Sequence, residues 1–503
     1  MISKVNGFSL IGLSGVPIEV EVDVNNGLPS FDVVGLADTA VKESKERIRS
    51  AIKNSGRTLP NRRITVNLAP ADVKKEGSAL DLALALGVLK ATGQIEVDLD
   101  GKIFIGELSL DGSLRRLNGT LAMLIAASDL GYTEFIIPKG NESEGCYVDG
   151  VTVYAAENLT QVIDHLSGLN PLLPIEKKDY LAEKGKNVYD SDLSFIKGQT
   201  VAKRALEVAV SGGHNILFVG APGTGKTMLA KCIPTIMPDM TRQEALETTK
   251  IHSVSGLLKD SEGIIKARPF RSPHHSATSV ALTGGGTHVK PGEISLAHNG
   301  VLFLDEMPEY SRSVLESLRQ PLEDGEITVA RAMASVTYPA NFMLCGSMNP
   351  CPCGNYGSPD KVCTCSPSQI AKYKAKISGP LLDRIDIQVE VDSVKYSELT
   401  DEKGGETSET VRRRVNRTRL IQKERFKNDG ILTNSDMGER HMRKYCKLTK
   451  ECEEILKYAY ESLNLSPRAR GRIIKVARTI ADMNLYDDIR PEHILEAISY
   501  RHS

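Results

Sequence analysis

The sequence has no hydrophobic run long enough to cross a membrane. Its longest apolar stretch, Leu82–Leu89, is far shorter than the roughly 18 residues that a transmembrane helix needs. The opening residues MISKVNGFSL also lack the apolar core of a signal peptide. We therefore expect a cytoplasmic protein with no membrane partner, in which the nine cysteines do not form structural disulfides.

The sequence also has no marked excess of charge of either sign. Its formal net charge is −1. This balance neither indicates nor excludes a nucleic-acid partner, because a ring that contacts a polyanion only through its central channel can be neutral overall. The length of 503 residues, with 41% hydrophobic and 25% charged residues, is typical of a globular protein with more than one domain.

Four successive segments differ in their patterns. Residues 1–165 alternate strand-like and helix-like stretches, which indicates an α+β domain. Residues 166–190 mix Pro, Gly, Lys and Glu without periodicity and predict a linker. Residues 191–393 open with a helix, a strand, a phosphate loop and a helix, the start of an α/β core with a doubly wound parallel sheet. Residues 394–503 are strongly helical and predict an all-α lid.

A phosphate-binding loop directly follows the apolar strand NILFV. The pattern G-x-x-x-x-G-K-[ST] is met by Gly220, Ala221, Pro222, Gly223, Thr224, Gly225, Lys226 and Thr227. Its glycines let backbone N–H groups surround phosphates at a helix N-terminus. We expect Lys226 to reach the β- and γ-phosphates of ATP, and the Thr227 hydroxyl to bind Mg²⁺. Upstream, the FIKGQ stretch that ends in Gln199 is expected to line the adenine pocket.

The stretch VLFLDE supplies the acidic half of such a site. Four apolar residues predict a buried strand that ends in Asp305, which would hold Mg²⁺. Glu306 is then placed to polarise the attacking water, which indicates hydrolysis and not ATP binding alone. The alternative is the end of a surface strand with two solvated acids.

Three further polar residues fall where a ring ATPase would need them. Asn349 follows the apolar strand NFML and would orient the water and sense the γ-phosphate. Arg384 in GPLLDRIDI would be an arginine finger offered to a neighbouring subunit, which implies an oligomer; a local ion pair with Asp383 or Asp386 is the alternative. Arg468 opens a helix and would contact the γ-phosphate of its own subunit, with Arg470 as the competing choice.

Together these stretches resemble the AAA+ ATPases. The block RPFRSPHHSATSVALTGGGTHVKPGEISLAHNGVLFLDEMPE resembles more narrowly the magnesium-chelatase-like ComM/YifB family, and the resemblance covers nearly the whole chain. It implies a hexameric ATP-driven motor that acts on single-stranded or branched DNA. The family's best-known type is a helicase that promotes branch migration during natural transformation.

Residues 1–165 resemble the proteolytic domain of Lon-type proteases through KEGSALD and GELSLDGSLRRLNGTLAM. The position of that family's nucleophilic Ser falls on Ala79, with Ser78 one place away, and the position of its partner Lys falls on Leu121. A Ser–Lys dyad needs both members, so the resemblance predicts an inactive domain that serves as a scaffold or handles nucleic acid.

Four of the cysteines are clustered in CPCGNYGSPDKVCTC. They are Cys351, Cys353, Cys363 and Cys365. Four thiolates that meet across a Gly- and Pro-containing loop would bind Zn²⁺ tetrahedrally, although one residue within each pair is fewer than the usual two to four. Reduced free thiols and redox pairing remain alternatives.

More chain lies between Lys226 and Asp305 than the roughly 30 residues of a βαβ unit. The resemblance to ATPases of the magnesium-chelatase and replicative-helicase branch implies that part of this insertion, together with residues 326–340, forms hairpins that face the pore of a ring. Four cations are the candidate DNA contacts: Arg268, Arg271, Lys290 and Arg331. His274 and His275 would either touch phosphate or make internal hydrogen bonds.

The segment 411–427 carries eight Lys or Arg and one Glu. At helical spacing its cations are spread over several faces, so a solvated lid helix and a phosphate contact are both open. The segment has a single aromatic residue, Phe426, near its end, and such a lack of aromatics favours contact with the nucleic-acid backbone over base reading.

The sequence therefore predicts an ATP-driven DNA translocase or helicase. A chelatase-type machine that remodels a protein partner is the alternative, although the D-x-S-x-S metal-adhesion motif is missing. A Lon-like protease is a third possibility, which the missing dyad disfavours.

Overall fold

The structure is a computed structural model. It describes residues 2–73, 75, 77–183, 189–286, 289–331, 334–357, 361–394, 405–463 and 465–501. Within these ranges, every helix is too short or too polar to cross a lipid bilayer. The chain forms two compact units: residues 1–184 with 241–266, and residues 185–240 with 267–503.

The strands, in chain order, are β1 Ile2–Ile11, β2 Ser14–Asn25, β3 Ser30–Val34, β4 Arg63–Ala69, β5 Lys102–Phe104, β6 Glu107–Leu108, β7 Leu114–Arg115, β8 Glu134–Pro138, β9 Thr152–Ala156, β10 Ile216–Val219, β11 Phe270–Arg271, β12 Gly284–Gly285, β13 Lys290–Pro291, β14 Val301–Leu304, β15 Glu326–Arg331, β16 Ala334–Pro339, β17 Met343–Met348 and β18 Ile387–Glu390.

The α-helices, in chain order, are α1 Thr39–Asn54, α2 Asp81–Ala91, α3 Thr120–Asp129, α4 Glu142–Gly145, α5 Leu159–Leu166, α6 Tyr180–Glu183, α7 Thr200–Gly212, α8 Lys226–Lys231, α9 Ile233–Ile236, α10 Arg242–Ser255, α11 Ser279–Thr283, α12 Glu293–Leu296, α13 Arg312–Ser317, α14 Pro321–Asp324, α15 Pro367–Lys374, α16 Gly379–Leu382, α17 Ser408–Arg425, α18 Glu439–Tyr445, α19 Lys450–Ser462, α20 Pro467–Met483 and α21 Pro491–Ser499.

The first unit is built on a mixed seven-stranded sheet of order β3-β4-β2-β1-β5-β8-β9. Its long antiparallel strands arise from an alternating pattern, as in β2, where Ile18, Val20 and Val22 are fully buried and the residues between them are not. Helix α2 is apolar on every side and buried along nearly its whole length against β1 and β2. The segment 166–183 belongs to this unit.

Residues 241–266 pack with the first unit, although the sequence analysis assigned them to the ATPase core. Helix α10 begins at a capping box formed by Thr241 and Glu244. Near its end, the Ser253 hydroxyl donates to the fully buried Glu144 at 2.7 Å. Beyond the helix, Arg116 donates to the Leu258 carbonyl at 2.9 Å. The buried carboxylate and the guanidinium of the first unit thus find their partners in this segment, which explains its placement.

The second unit contains a five-stranded parallel sheet of order β11-β14-β17-β10-β18. Strands β10, β14 and β17 are buried at every residue, as continuous apolar runs in a parallel sheet predict. The expected mixed α/β structure with a parallel sheet is therefore confirmed.

The helices after residue 405 share one hydrophobic core with the parallel sheet. One of them, α20, is capped by Ser466, whose side chain accepts from the Ala469 N–H, and carries Pro467 in its first turn. Its apolar face, which includes Ile473 and Ile480, is buried against α7 and α17. This packing fixes the start of α20 relative to the sheet.

Candidate functional site

Three neighbouring strands of the parallel sheet bring the predicted nucleotide residues together. Strand β17 lies between β10 and β14 and runs parallel to both. At its carboxyl end, β10 leads into the loop 220–227. Likewise, β17 leads into Asn349 and β14 into Asp305. The carboxyl edge of such a sheet is the usual place for a ligand.

The amino group of Lys226 lies at the centre of this edge. It donates to the Gly220 and Ala221 carbonyls at 2.6 and 2.8 Å, and to Asn349 Oδ1 at 3.3 Å. Burial lowers the pKa of Lys226. A lysine held by backbone oxygens and an amide is well placed to exchange those contacts for phosphate oxygens.

The oxygens predicted to hold Mg²⁺ meet beside this lysine. Thr227 Oγ1 donates to Asp305 Oδ2 at 2.9 Å. The other oxygen of Asp305 accepts from the buried Ser347 hydroxyl. Hydroxyl and carboxylate oxygens are the ligands that Mg²⁺ prefers, so this pair fits the ion. Sequence reasoning missed Ser347, which lies inside the apolar strand β17.

Two positions of the phosphate loop 220–227 require glycine. Gly225 has φ +92°, in the left-handed region. A side chain at Gly220 would collide with the Val391 carbonyl oxygen at 2.3 Å. Gln199 connects the loop to the chain just after strand β18, because its Nε2 donates to the Asp392 carbonyl at 2.5 Å and to the Thr224 carbonyl at 3.3 Å.

A cleft of about 480 Å³ lies next to Gln199. It is lined by residues of the FIKGQ stretch and of α7, among them Ile196, Gly198, Thr200 and Lys203. The sequence analysis expected the FIKGQ stretch to line the adenine pocket, and that assignment stays a prediction.

Glu306 stands next to Asp305 in a left-handed conformation, with φ +50°. Its backbone N–H donates to the Ser347 hydroxyl at 3.2 Å, while its side chain is exposed. The ring nitrogen Nδ1 of His275 lies 3.9 Å from Glu306 Oε2. His274 instead makes an internal hydrogen bond to the Ser276 hydroxyl at 2.8 Å and stacks on His275.

Arg384 lies at the opposite edge of the sheet. It precedes β18, which runs parallel to β10, so it is at the amino edge while the phosphate loop is at the carboxyl edge. Its guanidinium pairs with Glu323 and donates to the Pro380 carbonyl at 2.8 Å. The local pair considered in the sequence analysis is not formed with Asp386, which binds His214 at 3.1 Å.

Arg468 shares that edge with Arg384. Both line a polar cleft of about 620 Å³. Its other charged residues are Arg472, Lys475, Glu323, Asp324, Asp386 and Asp436. The expectation that Arg468 contacts the γ-phosphate of its own subunit is therefore wrong for this arrangement, because packing of α20 on the sheet sets the start of the helix at the amino edge.

Two of the predicted DNA contacts are bound internally. Arg268 donates to the Pro238 carbonyl at 2.5 Å and to the Asn299 carbonyl at 2.7 Å. Arg271 makes a two-pronged ion pair with Glu293 at 2.6 and 2.7 Å. These contacts correct the sequence expectation: both guanidiniums connect segments of the second unit and are not presented to a polyanion.

The other two candidates lie on a pair of hairpins. Lys290 is exposed in β13, which pairs with β12. Arg331 ends β15, which pairs with β16; its side chain lies outside the described part of the structure. The Tyr338 hydroxyl on β16 donates to the Val289 carbonyl next to β13. The two hairpins are thus joined and would move together.

Most arginines of the basic segment 411–427 make contacts within the protein. Arg414 binds Glu207 and Glu406, and both carboxylates raise its pKa. Other arginines of α17 pair with acidic residues or donate to backbone carbonyls: Arg412 with Asp239, Arg413 with Glu409, Arg417 with Met483, Arg419 with Val210 and Arg425 with Asp482. Most of its arginines are therefore held by contacts within the second unit, although Arg413 and Lys427 remain exposed.

The four clustered cysteines converge. Their sulfur atoms all lie within 4.8 Å of one another, and none of them forms a disulfide. The Asn355 and Thr364 backbone N–H groups, in that order, lower the pKa of the Cys353 thiol to about 5. The donor set fits a tetrahedral thiolate-bound ion such as Zn²⁺.

In the first unit, the two positions that correspond to the Lon-type Ser–Lys dyad lie in the interior. Ala79 and Leu121 are both buried. The neighbouring Ser78 hydroxyl donates to Glu107.

Comparison with known proteins adds to this geometry. Three family models match: "Magnesium chelatase, subunit ChlI" at residues 192–399, "Subunit ChlI of Mg-chelatase" at 20–141, and "Magnesium chelatase, subunit ChlI C-terminal" at 405–501. Competence protein ComM of Haemophilus influenzae is 44% identical over 499 residues, 98% of this chain and 96% of that protein. The uncharacterized protein YifB of Escherichia coli is 42% identical over 505 residues, 99% of this chain and 97% of that protein.

A weaker similarity extends to Lon protease 2 of Bacillus subtilis, 26% identical over 200 residues, 36% of this chain and 35% of that protein. These comparisons point to an AAA+ ATPase.

Proposed function

The chain belongs to the magnesium-chelatase-like ComM/YifB family, and on that premise we propose that it is an ATP-driven DNA translocase that works as a hexameric ring. The observation that carries the proposal is the meeting of Lys226, Thr227, Asp305 and Asn349 at the carboxyl edge of three adjacent parallel strands. Those groups are the ones that binding and splitting of ATP require.

Each group has a distinct task at the bound nucleotide. The backbone of 220–225 surrounds the phosphates, and Lys226 exchanges its carbonyl contacts for phosphate oxygens. Thr227 and Asp305 would hold Mg²⁺, which when bound neutralises the charge that develops on the phosphates. Ser347 keeps the Asp305 carboxylate turned toward Thr227.

Hydrolysis needs a base for the attacking water. Glu306 is exposed beyond the end of β14 and can reach a water in front of the γ-phosphate, with Asn349 orienting the same water. Gln199 joins the phosphate loop to the chain just after β18. A change in the bound nucleotide would therefore alter the position of that segment.

The positions of Arg384 and Arg468 favour the proposal that the protein works as a ring. Both lie at the edge of the sheet that is remote from their own phosphate loop, so neither serves its own nucleotide. In a ring, the amino edge of one subunit would face the carboxyl edge of the next, and both arginines would stabilise the transferred phosphate there. Acidic residues of the cleft, including Glu323, would keep the two guanidiniums in position for the nucleotide of the neighbouring subunit.

The joined hairpins β12–β13 and β15–β16 are the proposed DNA grip. Lys290 and Arg331 are the cations left to it once Arg268 and Arg271 are assigned to internal contacts. Because Tyr338 ties one hairpin to the other, a shift of the segment that carries His275 would move both. Contacts to the phosphate backbone alone suit a motor that travels regardless of sequence.

The task of the motor would be branch migration during recombination or natural transformation. Support comes from the name of the Haemophilus influenzae relative, Competence protein ComM. The second candidate is chelatase-type remodelling of a protein partner, which the three ChlI family models favour.

The ATPase rate of the purified chain with and without single-stranded or forked DNA separates the two. We expect DNA to raise the rate several-fold, and the double variant Lys290→Ala, Arg331→Ala to lose this stimulation. Arg413→Ala, which removes an exposed cation of α17, should keep it. If DNA leaves the rate unchanged and a protein partner raises it, the chelatase-type function is correct instead.

A further inference from the structure

The cysteine cluster has the dimensions of a metal site. Cys351 Sγ lies 3.4 Å from Cys353 Sγ and 3.7 Å from Cys363 Sγ, and the last two sulfur atoms are 3.6 Å apart. Four thiolates at about 2.3 Å from a tetrahedral Zn²⁺ would be about 3.8 Å from one another. The spacing therefore needs little adjustment to accept the ion.

The chain around the cluster is built to hold the sulfur atoms in place. Cys351 is fully buried, and the Tyr356 N–H donates to its sulfur at 3.3 Å. Gly354 makes the turn between them with φ +81°. After Cys365 the chain enters α15 at once, through a capping box formed by Ser366 and Gln369. Backbone donors to thiolate sulfur are the usual outer support of such sites.

The same turn presses on the phosphate loop. A Cβ on Gly354 would lie 2.5 Å from Pro222 Cδ and 2.9 Å from its Cγ, so only glycine fits between the cysteine loop and Pro222. On the other side of the cluster, Asn349, two residues before Cys351, contacts Lys226. The cysteine loop thus approaches the phosphate loop directly at Gly354, and its first cysteine is separated from Asn349 by one residue.

We propose that Cys351, Cys353, Cys363 and Cys365 bind one structural Zn²⁺, which holds the turn at Gly354 against Pro222 and so sets the shape of the phosphate loop. With four protein ligands the ion has no open position, so it takes no part in the chemistry. The inference rests on the proposed nucleotide site for its second half, whereas the metal site stands on the sulfur geometry alone.

Metal analysis of the full-length protein, grown with added zinc and freed of loosely bound ions by desalting, tests the first half. We expect about one zinc per chain in the wild type and in Cys146→Ala, which removes a thiol from the other compact unit. The double variant Cys363→Ser, Cys365→Ser should lose it. A wild type without bound metal overturns the site, and iron at the same stoichiometry overturns the choice of ion.

The affinity for a fluorescent ATP analogue, measured with Mg²⁺ present, tests the second half. We expect about tenfold weaker binding in the double cysteine variant, and weaker binding in Gly354→Ala although that variant keeps its zinc. Retained zinc shows that the loop of Gly354→Ala is still folded. Unchanged affinity in both variants overturns the coupling.

These two measurements also distinguish a failure of the proposed nucleotide site from a failure of the metal site. In the first case the zinc-loaded wild type would itself not bind the analogue, while its zinc content would still decide the metal site.

Discussion

His275 Nδ1 lies 3.9 Å from Oε2 of Glu306, the carboxylate proposed to activate water. The contact places a residue of the inserted segment beside this proposed base. Further along the same segment come β12 and β13, the first of the joined hairpins. An imidazole in this position can hold Glu306 aside until the hairpins move.

We expect His275→Ala to raise the ATPase rate without DNA by about two- to fivefold and to shrink the stimulation by DNA, because Glu306 is no longer restrained. His275→Gln keeps a hydrogen-bond donor beside Glu306 and should lie between Ala and the wild type. Steady-state ATPase rates with and without forked DNA check this. Equal stimulation ratios in all three proteins would show that His275 does not couple the hairpins to the base.

Arg384 should act on the nucleotide of a neighbouring subunit. Arg384→Ala is expected to lower the hydrolysis rate by about 10³-fold or more and to leave nucleotide affinity nearly intact, because the side chain is remote from its own phosphate loop. Mixed with Glu306→Gln subunits, the variant should regain part of its activity. At a mixed interface, the Arg384→Ala subunit keeps Glu306 and receives the arginine of its neighbour.

The mixing experiment excludes a role within one subunit. Absence of any recovery across all mixing ratios, with oligomers shown to exchange subunits, would contradict the proposed finger.

Arg468 should behave as Arg384 does. Its place in the same cleft predicts that Arg468→Ala lowers hydrolysis by one to two orders of magnitude and is also rescued by mixing with Glu306→Gln. Arg470 is two residues further along α20 and exposed, and Arg470→Ala provides the matched control with near-normal rates. Loss of nucleotide affinity in a monomeric preparation of Arg468→Ala would instead place the arginine at its own nucleotide.

Asp386 should stabilise the amino edge of the sheet in a pH-dependent way. Burial alone would raise the pKa of this carboxyl, but the His214 hydrogen bond and the charges of Arg472 and Lys475 lower it to about 2. Since the unfolded value is about 3.9, the folded state gains stability above pH 4 and loses it as the pH falls toward 2. The gain at neutral pH is on the order of 2 kcal/mol.

Asp386→Asn should therefore lower the midpoint of thermal unfolding at pH 7, and the difference from the wild type should shrink below pH 4. Circular dichroism is the suitable probe, because the chain has no tryptophan. Asp488→Asn, at an exposed carboxylate, should leave the midpoint unchanged. A pH-independent difference would mean that Asp386 acts through packing and not through its charge.

The sequence predicted which residues meet at the carboxyl edge of the parallel sheet because two simple rules coincide there. Apolar runs of four to six residues predict buried parallel strands, and polar residues directly after them must meet at one edge. Asp305, Asn349 and the phosphate loop follow from those rules. Ser347 does not, because its contact with Asp305 depends on the pairing of Leu304 with Gly346, which no local pattern specifies.

The errors have a common physical cause. The sequence shows that a side chain is charged but not which group it binds. Arg271 and Arg414 are cations in the sequence, and in the structure both form ion pairs. In the same way, the T-x-x-E pattern at Thr241 forms the capping box at the start of α10. It does not tell which core the helix packs against, and the buried Glu144 decides that. The side of the sheet on which Arg468 lies likewise follows from the packing of α20.

Movement of a labelled strand in a three-strand DNA junction tests the central claim most directly. With Mg²⁺ and ATP, the wild type should displace the strand at a rate that follows ATP concentration. Glu306→Gln should bind the junction and ATP but displace nothing, and a non-hydrolysable ATP analogue should arrest the wild type. Hydrolysis of ATP on bound DNA without strand movement, or equal movement by Glu306→Gln, would contradict the account.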